Sequence, residues 1–197
     1  MSSPLQRALA ALVLAGAAGG TGFAIGANSG AAAAPAIPEQ NISAPAPGTT
    51  RVLYSLDAKR NDRQLIAVIE AAKTHLYFAI YEFTLQDVAD ALIAAKARGV
   101  DVEGLVDSGE SVKTYDAAVI DQLRAAGIPI ETEHHPGGVG IMHIKALVTD
   151  SAYAIGSYNW TASATDDNDE ILEVGTDPSL VAAYTNVLQQ LLLKYKQ

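Results

Sequence analysis

Apolar runs typical of buried strands alternate with amphipathic helical patterns along residues 51–197. Strand-like runs have β-branched and apolar residues, whereas the helical segments repeat apolar residues every three to four positions. Such alternation predicts a layered α-β-α sandwich, with helices on both faces of one sheet. A late hairpin makes the predicted sheet mixed, although mostly parallel. The predicted strands cover residues 51–55, 75–83, 100–106, 128–133, 144–148, 152–155 and 171–174, and the predicted helices cover 61–73, 84–98, 114–126 and 178–194.

The N-terminal region has a different composition from the rest of the chain. Arg7 precedes an uncharged run from Ala8 to Ala27, and small residues follow it. This pattern is typical of a secretory signal peptide over residues 1–35, and it predicts an exported protein, periplasmic or secreted. The run is also about long enough to span a bilayer, so an N-terminal membrane anchor, with membrane contact there, is the alternative. Prolines interrupt residues 36–50, which we interpret as a Pro/Ala-rich linker before a domain over 51–197.

Composition excludes several classes of function. The chain has no Cys, which excludes a disulfide scaffold, a thiolate nucleophile and Cys-ligated metal sites. Its formal net charge is −9, and removal of residues 1–35 would take away one Arg and no acidic residue. This acidity argues against broad, sequence-independent binding to nucleic acid, because that binding needs positive charge at the contact surface. A small basic site remains compatible with it.

Polar residues that suit a phosphoryl group recur at two-residue spacing near the predicted hairpin. His143 and Lys145 precede the hairpin, and Ser157 and Asn159 follow it. Residues two apart on a strand project to the same face, so each pair is expected to face one space. An imidazole, an ammonium group, a hydroxyl and an amide would together supply a nucleophile or acid, a fixed cation and neutral donors to oxygen.

The same residues form a recognisable motif. His143 to Asp150 reads H-x-K-x-x-x-x-D, and Gly156 to Asn159 reads G-S-x-N. This combination resembles the signature of the phospholipase D superfamily. The flanking residues Tyr81–Thr84 and Asn168–Glu170 are similar to those of its small, single-motif members, which include bacterial endonucleases. The stretch between Asp150 and Gly156 holds five residues where the family usually has six, which a tighter hairpin turn would absorb.

The resemblance implies a two-step displacement at phosphorus without a metal or other cofactor. His143 would form a phosphohistidine, and a second His would protonate the leaving oxygen. Because the chain carries one motif, the family solution is a homodimer whose two motifs meet at a two-fold axis. The resemblance also assigns the remaining roles. Lys145 and Asn159 would bind phosphoryl oxygens with help from Ser157, Glu170 would orient and charge the imidazole, and Asp150 would brace the hairpin.

Three functions stay open at this point. A metal-independent nuclease is the first, and a phospholipase D that releases lipid headgroups is the second. A non-catalytic binding protein on the same fold is the third. Nucleic acid would need local cations, and the candidates are Lys59, Arg60, Arg63 and Lys113. We interpret His134 and His135 as surface residues, Trp160 as a packing residue and His75 as a residue without a chemical role.

Overall fold

The computed structural model describes residues 42–196, in which seven strands form one sheet. The predicted signal peptide or anchor over residues 1–35, and the first part of the predicted linker, lie outside the described residues. The strands are β1 (Thr50–Tyr54), β2 (His75–Ile80), β3 (Asp101–Asp107), β4 (Ile130–Glu133), β5 (Lys145–Thr149), β6 (Tyr153–Gly156) and β7 (Ile171–Gly175). The helices are α1 (Ser55–Ala58), α2 (Asn61–Ala71), α3 (Gln86–Ala97), α4 (Thr114–Ala125), α5 (Ala162–Asp166) and α6 (Pro178–Tyr195).

The sheet has the order β1-β7-β6-β5-β2-β3-β4 and is mixed, as predicted. The prediction that it is mostly parallel was wrong. Strands β2, β3 and β4 run parallel, whereas the other four neighbouring pairs are antiparallel. Parallel neighbours need a long crossover, which α3 and α4 provide on one half of the sheet. On the other half, β5 returns antiparallel to β2 and a short turn joins it to β6.

Helices cover both faces of the sheet, which confirms the predicted layers. Strand β2 shows the division, because its side chains alternate between two apolar cores. Leu76, Phe78 and Ile80 belong to the core that α2, α3 and α4 cover. Tyr77 and Ala79 belong to the core under α6. Among residues 42–196, no helix is both long enough and apolar enough to cross a membrane.

The last residues of the predicted linker lie against the domain. Gln64 donates a hydrogen bond from Nε2 to the carbonyl oxygen of Ser43 over 2.6 Å. Thr176 donates from Oγ1 to the carbonyl oxygen of Ala46 over 2.7 Å. Strand β1 then begins at Thr50, one residue before the predicted start of the domain.

Candidate active site

The two basic groups of the motif meet around one aromatic ring at an edge of the sheet. Strand β2 ends at Ile80 next to Lys145, the first residue of β5. His143 is exposed and lies two residues before β5, so the strand alternation that was expected to place it on the same face as Lys145 does not extend to it. Its ring contacts the Tyr81 ring edge-on, with 4.8 Å between centroids. Lys145 Nζ also lies 4.8 Å from the centroid of Tyr81 and donates to the carbonyl oxygen of His143 over 3.0 Å.

Lys145 is a buried cation without a close anion. Burial lowers the pKa of its ammonium group, and the carboxylates of Glu170 and Glu82 act in the opposite direction. Within the part of the chain that the structure describes, no carboxylate oxygen lies within 4 Å of Lys145 Nζ. The two carboxylates therefore act on the ammonium group without pairing with it directly.

The hairpin that precedes Ser157 and Asn159 has a tight turn. Val148 pairs with Tyr153, and the backbone nitrogen of Thr149 donates to the carbonyl oxygen of Ala152 over 2.8 Å. Only Asp150 and Ser151 remain as the turn, which explains how five residues fit between Asp150 and Gly156.

Gly156, where the hairpin ends, allows β6 and β7 to approach closely. A Cβ atom at this position would overlap the carbonyl oxygen of Ile171, so any larger residue would push β7 away. The small residue of the motif therefore sets the distance between Ser157 and the start of β7.

Ser157 and Glu170 form one hydrogen-bonded unit. The Ser157 hydroxyl donates to Glu170 Oε2 over 2.5 Å and accepts from the backbone nitrogen of Ile171 over 3.1 Å. The backbone nitrogen of Glu170 donates to Ser55 Oγ over 2.9 Å. Among the described residues, the partner of the Glu170 carboxylate is thus Ser157 rather than the His143 imidazole that the resemblance implies.

Asn159 has a carboxylate partner that the sequence analysis did not assign to the site. Its Nδ2 donates to Glu82 Oε2 over 2.9 Å. Glu82 and Tyr81 directly follow β2, where the predicted strand had continued to Phe83. The available signal was their place in the segment Tyr81–Thr84, which resembles the family, because a carboxylate after an apolar run otherwise indicates a solvated loop.

Asp107 was also missed, and it connects two loops beside the site. At the end of β3, Asp107 Oδ1 accepts from the backbone nitrogens of Gly109 and Glu110 over 2.8 and 3.1 Å. Its Oδ2 accepts from the backbone nitrogen of Met142 over 2.9 Å, directly before His143. Glu110 raises the pKa of the Tyr81 phenol by hydrogen bonding to it. Asp107 thereby fixes the segment that carries His143.

Asp150 lies at the other end of β5, away from the reactive groups. Its Oδ1 accepts from the backbone nitrogens of Lys73 and Thr74 over 2.8 and 2.9 Å. Burial raises the pKa of this carboxyl group, but the backbone hydrogen bonds outweigh burial and leave the pKa below its ordinary value. This geometry supports a bracing role.

Three of the four cations considered for nucleic acid already have partners. Lys59 Nζ donates to the carbonyl oxygen of Asp166 over 2.6 Å, and Lys113 Nζ lies 2.5 Å from Glu110 Oε2. Arg63 contacts two aspartates, of which Asp87 is 3.1 Å away. Arg60 is exposed. These contacts reduce the positive charge available to a polyanion.

The other histidines and Trp160 lie outside the reactive group. His135 Nε2 is 3.2 Å from a Glu133 oxygen, and His75 stacks on Tyr77 at 5.1 Å. Trp160 is buried against Phe78 and Phe83, as expected of a packing residue. Residues 42–196 contain no cluster of three His, Cys, Asp or Glu side chains that could hold a metal ion.

Comparison with known proteins identifies similar sequences and folds. Residues 65–192 match the family model described as cardiolipin synthase, PLD-like domain. The mitochondrial cardiolipin hydrolase of Xenopus tropicalis is 29% identical over 133 residues, which are 67% of this chain and 61% of that protein. A phospholipase D of Rickettsia conorii is 31% identical over 117 residues, which are 59% of this chain and 56% of that protein. The chain thus spans less than two thirds of the length of these relatives.

Two solved structures share the fold over nearly their full length. Nuc of Salmonella typhimurium, described as a phospholipase D family member, is 29% identical with a TM-score of 0.66, covering 72% of this chain and 92% of that one. NucT of Helicobacter pylori is 22% identical with a TM-score of 0.68, covering 75% of this chain and 96% of that one. The second similarity shows the fold alone.

Proposed function

The chain belongs to the phospholipase D-like family, and from this membership and its site we propose that it is a metal-independent phosphodiesterase that forms a phosphohistidine on His143. The observation that carries the proposal is the arrangement around Tyr81. An exposed imidazole lies beside a buried ammonium group that pairs directly with no carboxylate of residues 42–196. Such a cation is available to a phosphoryl oxygen, while the neighbouring imidazole is accessible to phosphorus.

In the proposed reaction, the unprotonated nitrogen of His143 attacks phosphorus, and the bond from phosphorus to the leaving oxygen breaks. The leaving oxygen takes a proton from a second imidazole. That imidazole then removes a proton from water, which attacks the phosphohistidine and regenerates His143. Lys145 balances the charge that develops on the phosphoryl oxygens, and Asn159 donates a hydrogen bond to them. Ser157 donates to them when its hydroxyl hydrogen turns away from Glu170.

The second imidazole would come from a second copy of the chain in a homodimer. A two-fold axis beside His143 would bring the two identical imidazoles together. The segment before His143 and the region from the end of β3 to the first turn of α4 support this proposal, because they expose large apolar side chains. These are Val112, Tyr115, Val139 and Ile141, which are 77%, 78%, 82% and 52% exposed.

Nucleic acid is the first proposed substrate. The resemblance to small single-motif endonucleases supports it. A lipid headgroup ester is the second candidate. The observation that favours it is the pairing of Arg63 and Lys113 with neighbouring carboxylates.

We further propose export, to the periplasm or outside the cell, with residues 1–35 removed or retained as an anchor. The sequence pattern around Arg7 supports this. The N-terminal sequence of the protein recovered from a secreting host tests it. A new N-terminus near residue 36 outside the cytoplasm is expected, and full-length protein confined to the cytoplasm would contradict export.

A paired assay in EDTA tests the function. Purified protein is incubated with plasmid DNA in one tube and with phosphatidylcholine vesicles in another, and His143→Asn is compared with His75→Asn. We expect DNA nicking by the wild type and by His75→Asn, and none by His143→Asn. Headgroup release alone would replace the first substrate by the second, and folded protein inactive in both tubes would indicate a binding protein. An active monomer by light scattering would refute the two-chain site.

A further inference from the structure

The motif donors and the carboxylates of the site occur as two matched pairs. Ser157 donates to Glu170, and Asn159 donates to Glu82. Both carboxylates act on the buried ammonium group of Lys145 without contacting it. Glu170 was expected from the family motif, whereas Glu82 comes from a different strand. We propose that Glu82 is a positioning residue of the proposed phosphodiester site, which fixes the orientation of the Asn159 amide through a direct hydrogen bond and supplies negative charge to the surroundings of Lys145.

The backbone holds Glu82 firmly. The backbone nitrogen of Trp160 donates to the carbonyl oxygen of Glu82 over 3.0 Å, and the next residue, Phe83, forms an isolated parallel bridge with Trp160. The backbone nitrogen of Phe83 donates to Asp116 Oδ1, a buried carboxylate, over 2.7 Å. The peptide group that follows Glu82 is therefore held at both its oxygen and its nitrogen, which fixes the backbone from which the Glu82 side chain extends.

Glu82 determines which way the Asn159 amide faces. An amide presents two N–H donors and one oxygen acceptor, and a carboxylate can only accept. The Nδ2 group must therefore face Glu82, and its second hydrogen remains for another acceptor. A phosphoryl oxygen is such an acceptor. Exchanging the positions of Nδ2 and Oδ1 by rotating the amide would place two acceptors, Oδ1 and the Glu82 carboxylate, against each other. In the observed orientation, Asn159 Oδ1 is buried and has no hydrogen-bond partner among the described residues.

Glu82 also offsets the cost of burying Lys145. A buried ammonium group loses its proton at lower pH than an exposed one, and a nearby negative charge opposes that loss. Glu170 and Glu82 each accept a hydrogen bond from a motif donor, and neither carboxylate lies within 4 Å of Lys145 Nζ. Lys145 therefore keeps its charge for the substrate. This inference rests on the proposed function, since it concerns the same phosphate-binding groups.

Sulfate binding tests the role of Glu82 without requiring turnover. Sulfate keeps a constant charge from pH 6 to pH 10, so the pH dependence of its affinity reports the protein groups alone. Calorimetry on the full chain would compare the wild type with Glu82→Gln, which keeps an oxygen acceptor but removes the charge. Glu103→Gln, on β3 and outside the site, is the matched control. Lys145→Arg identifies the relevant titration, because a guanidinium group stays charged throughout and should abolish the alkaline loss of affinity.

We expect the alkaline midpoint of sulfate binding to move to lower pH in Glu82→Gln and to stay unchanged in Glu103→Gln. The pH midpoint, and not the affinity at one pH, is compared between the variants. Loss of the Glu82 charge by itself strengthens sulfate binding while Lys145 is protonated, so the affinity alone would not report the titration. An unchanged midpoint in Glu82→Gln would overturn the role of Glu82 and leave the proposed function standing. A wild-type chain that binds no sulfate at any pH would refute the phosphate site, and the role of Glu82 with it.

Discussion

Replacement of Asp150 should lower stability without removing the chemistry, although this residue belongs to the motif. Its carboxylate accepts two backbone hydrogen bonds, from Lys73 and Thr74, in front of β2. Strands β2 and β5 are neighbours in the sheet, so Asp150 connects the β5–β6 turn to the beginning of β2. The reactive groups lie at the opposite end of β5. The expected effect of Asp150→Ala is therefore on the free energy of unfolding.

The two hydrogen bonds to Asp150 determine how much unfolding free energy the Asp150→Ala chain should lose. A hydrogen bond to a charged group contributes about 1.5–3 kcal/mol when buried, and this carboxylate is half-buried, so the loss of both should cost about 2–4 kcal/mol. For a domain of this size, that corresponds to a decrease in Tm of roughly 5–12 °C. Asp150→Asn keeps an acceptor and loses only the charge, so its cost should be about 1 kcal/mol.

The pH dependence has a defined sign. The pKa of Asp150 lies below its ordinary value of 3.8 in the folded chain. Its contribution to stability is therefore fully present above the pKa of the unfolded chain and is lost as pH falls through the folded pKa. The difference in unfolding free energy between the wild type and Asp150→Asn should be constant from pH 7 to pH 5. It should shrink below pH 4.

Urea unfolding followed by circular dichroism measures these differences, with turnover per folded protein measured in parallel. Ser151→Ala is the matched control in the same turn and should stay within about 0.5 kcal/mol of the wild type. The reasoning fails if Asp150→Ala unfolds at the same urea concentration as this control. It also fails if Asp150→Ala abolishes turnover while its stability is unchanged, because the carboxylate would then act in the chemistry.

Two further substitutions test packing and burial. Gly156→Ala should lower both Tm and turnover, because the new Cβ would collide with the Ile171 carbonyl oxygen and displace β7. The expected loss of unfolding free energy is about 1–3 kcal/mol. A thermal melt with an unchanged Tm would contradict this prediction. Asp116 shows the opposite pH behaviour to Asp150, since burial raises the pKa of its carboxyl group despite the bond from Phe83. Because the folded pKa is raised, ionisation of Asp116 makes the wild type less stable as pH rises. The unfolding free energy of Asp116→Asn, measured by urea titration, should therefore increase relative to that of the wild type from pH 4 to pH 8. A constant difference between the two proteins would be inconsistent with the raised pKa.

The layers of the fold could be predicted from sequence because periodicity is a local property. Strand β2 alternates between two cores, and α6 follows a Pro-initiated amphipathic pattern, so both appear in the sequence itself. The direction of β5 is not local. It depends on how residues 134–144 cross the end of the sheet. Their one helical segment is a three-residue 3-10 helix, Pro136–Gly138, which is too short to permit a parallel return.

The site was predictable only where one continuous segment supplies it. His143, Lys145, Ser157 and Asn159 follow from the spacing around a single hairpin. Glu82 and Asp107 come from the ends of β2 and β3, and their roles depend on which strands become neighbours. A carboxylate after an apolar run usually indicates a solvated loop, so the sequence alone could not distinguish these residues from surface acids.

The net charge of −9 and a phosphate-binding site are compatible, because they act over different distances. Surface carboxylates beyond about 8–10 Å are largely screened at physiological ionic strength, whereas a buried ammonium group is screened much less. The response of Lys145 to a phosphoryl group is therefore governed by Glu82 and Glu170, whose carboxylates are held by Asn159 and Ser157. Recognition of the rest of the substrate depends instead on the outer surface, where Lys113 is already paired with Glu110. In the proposed function, Lys145 and the groups around it thus make the site suit a phosphodiester, and the outer loops determine which phosphodiester can approach it.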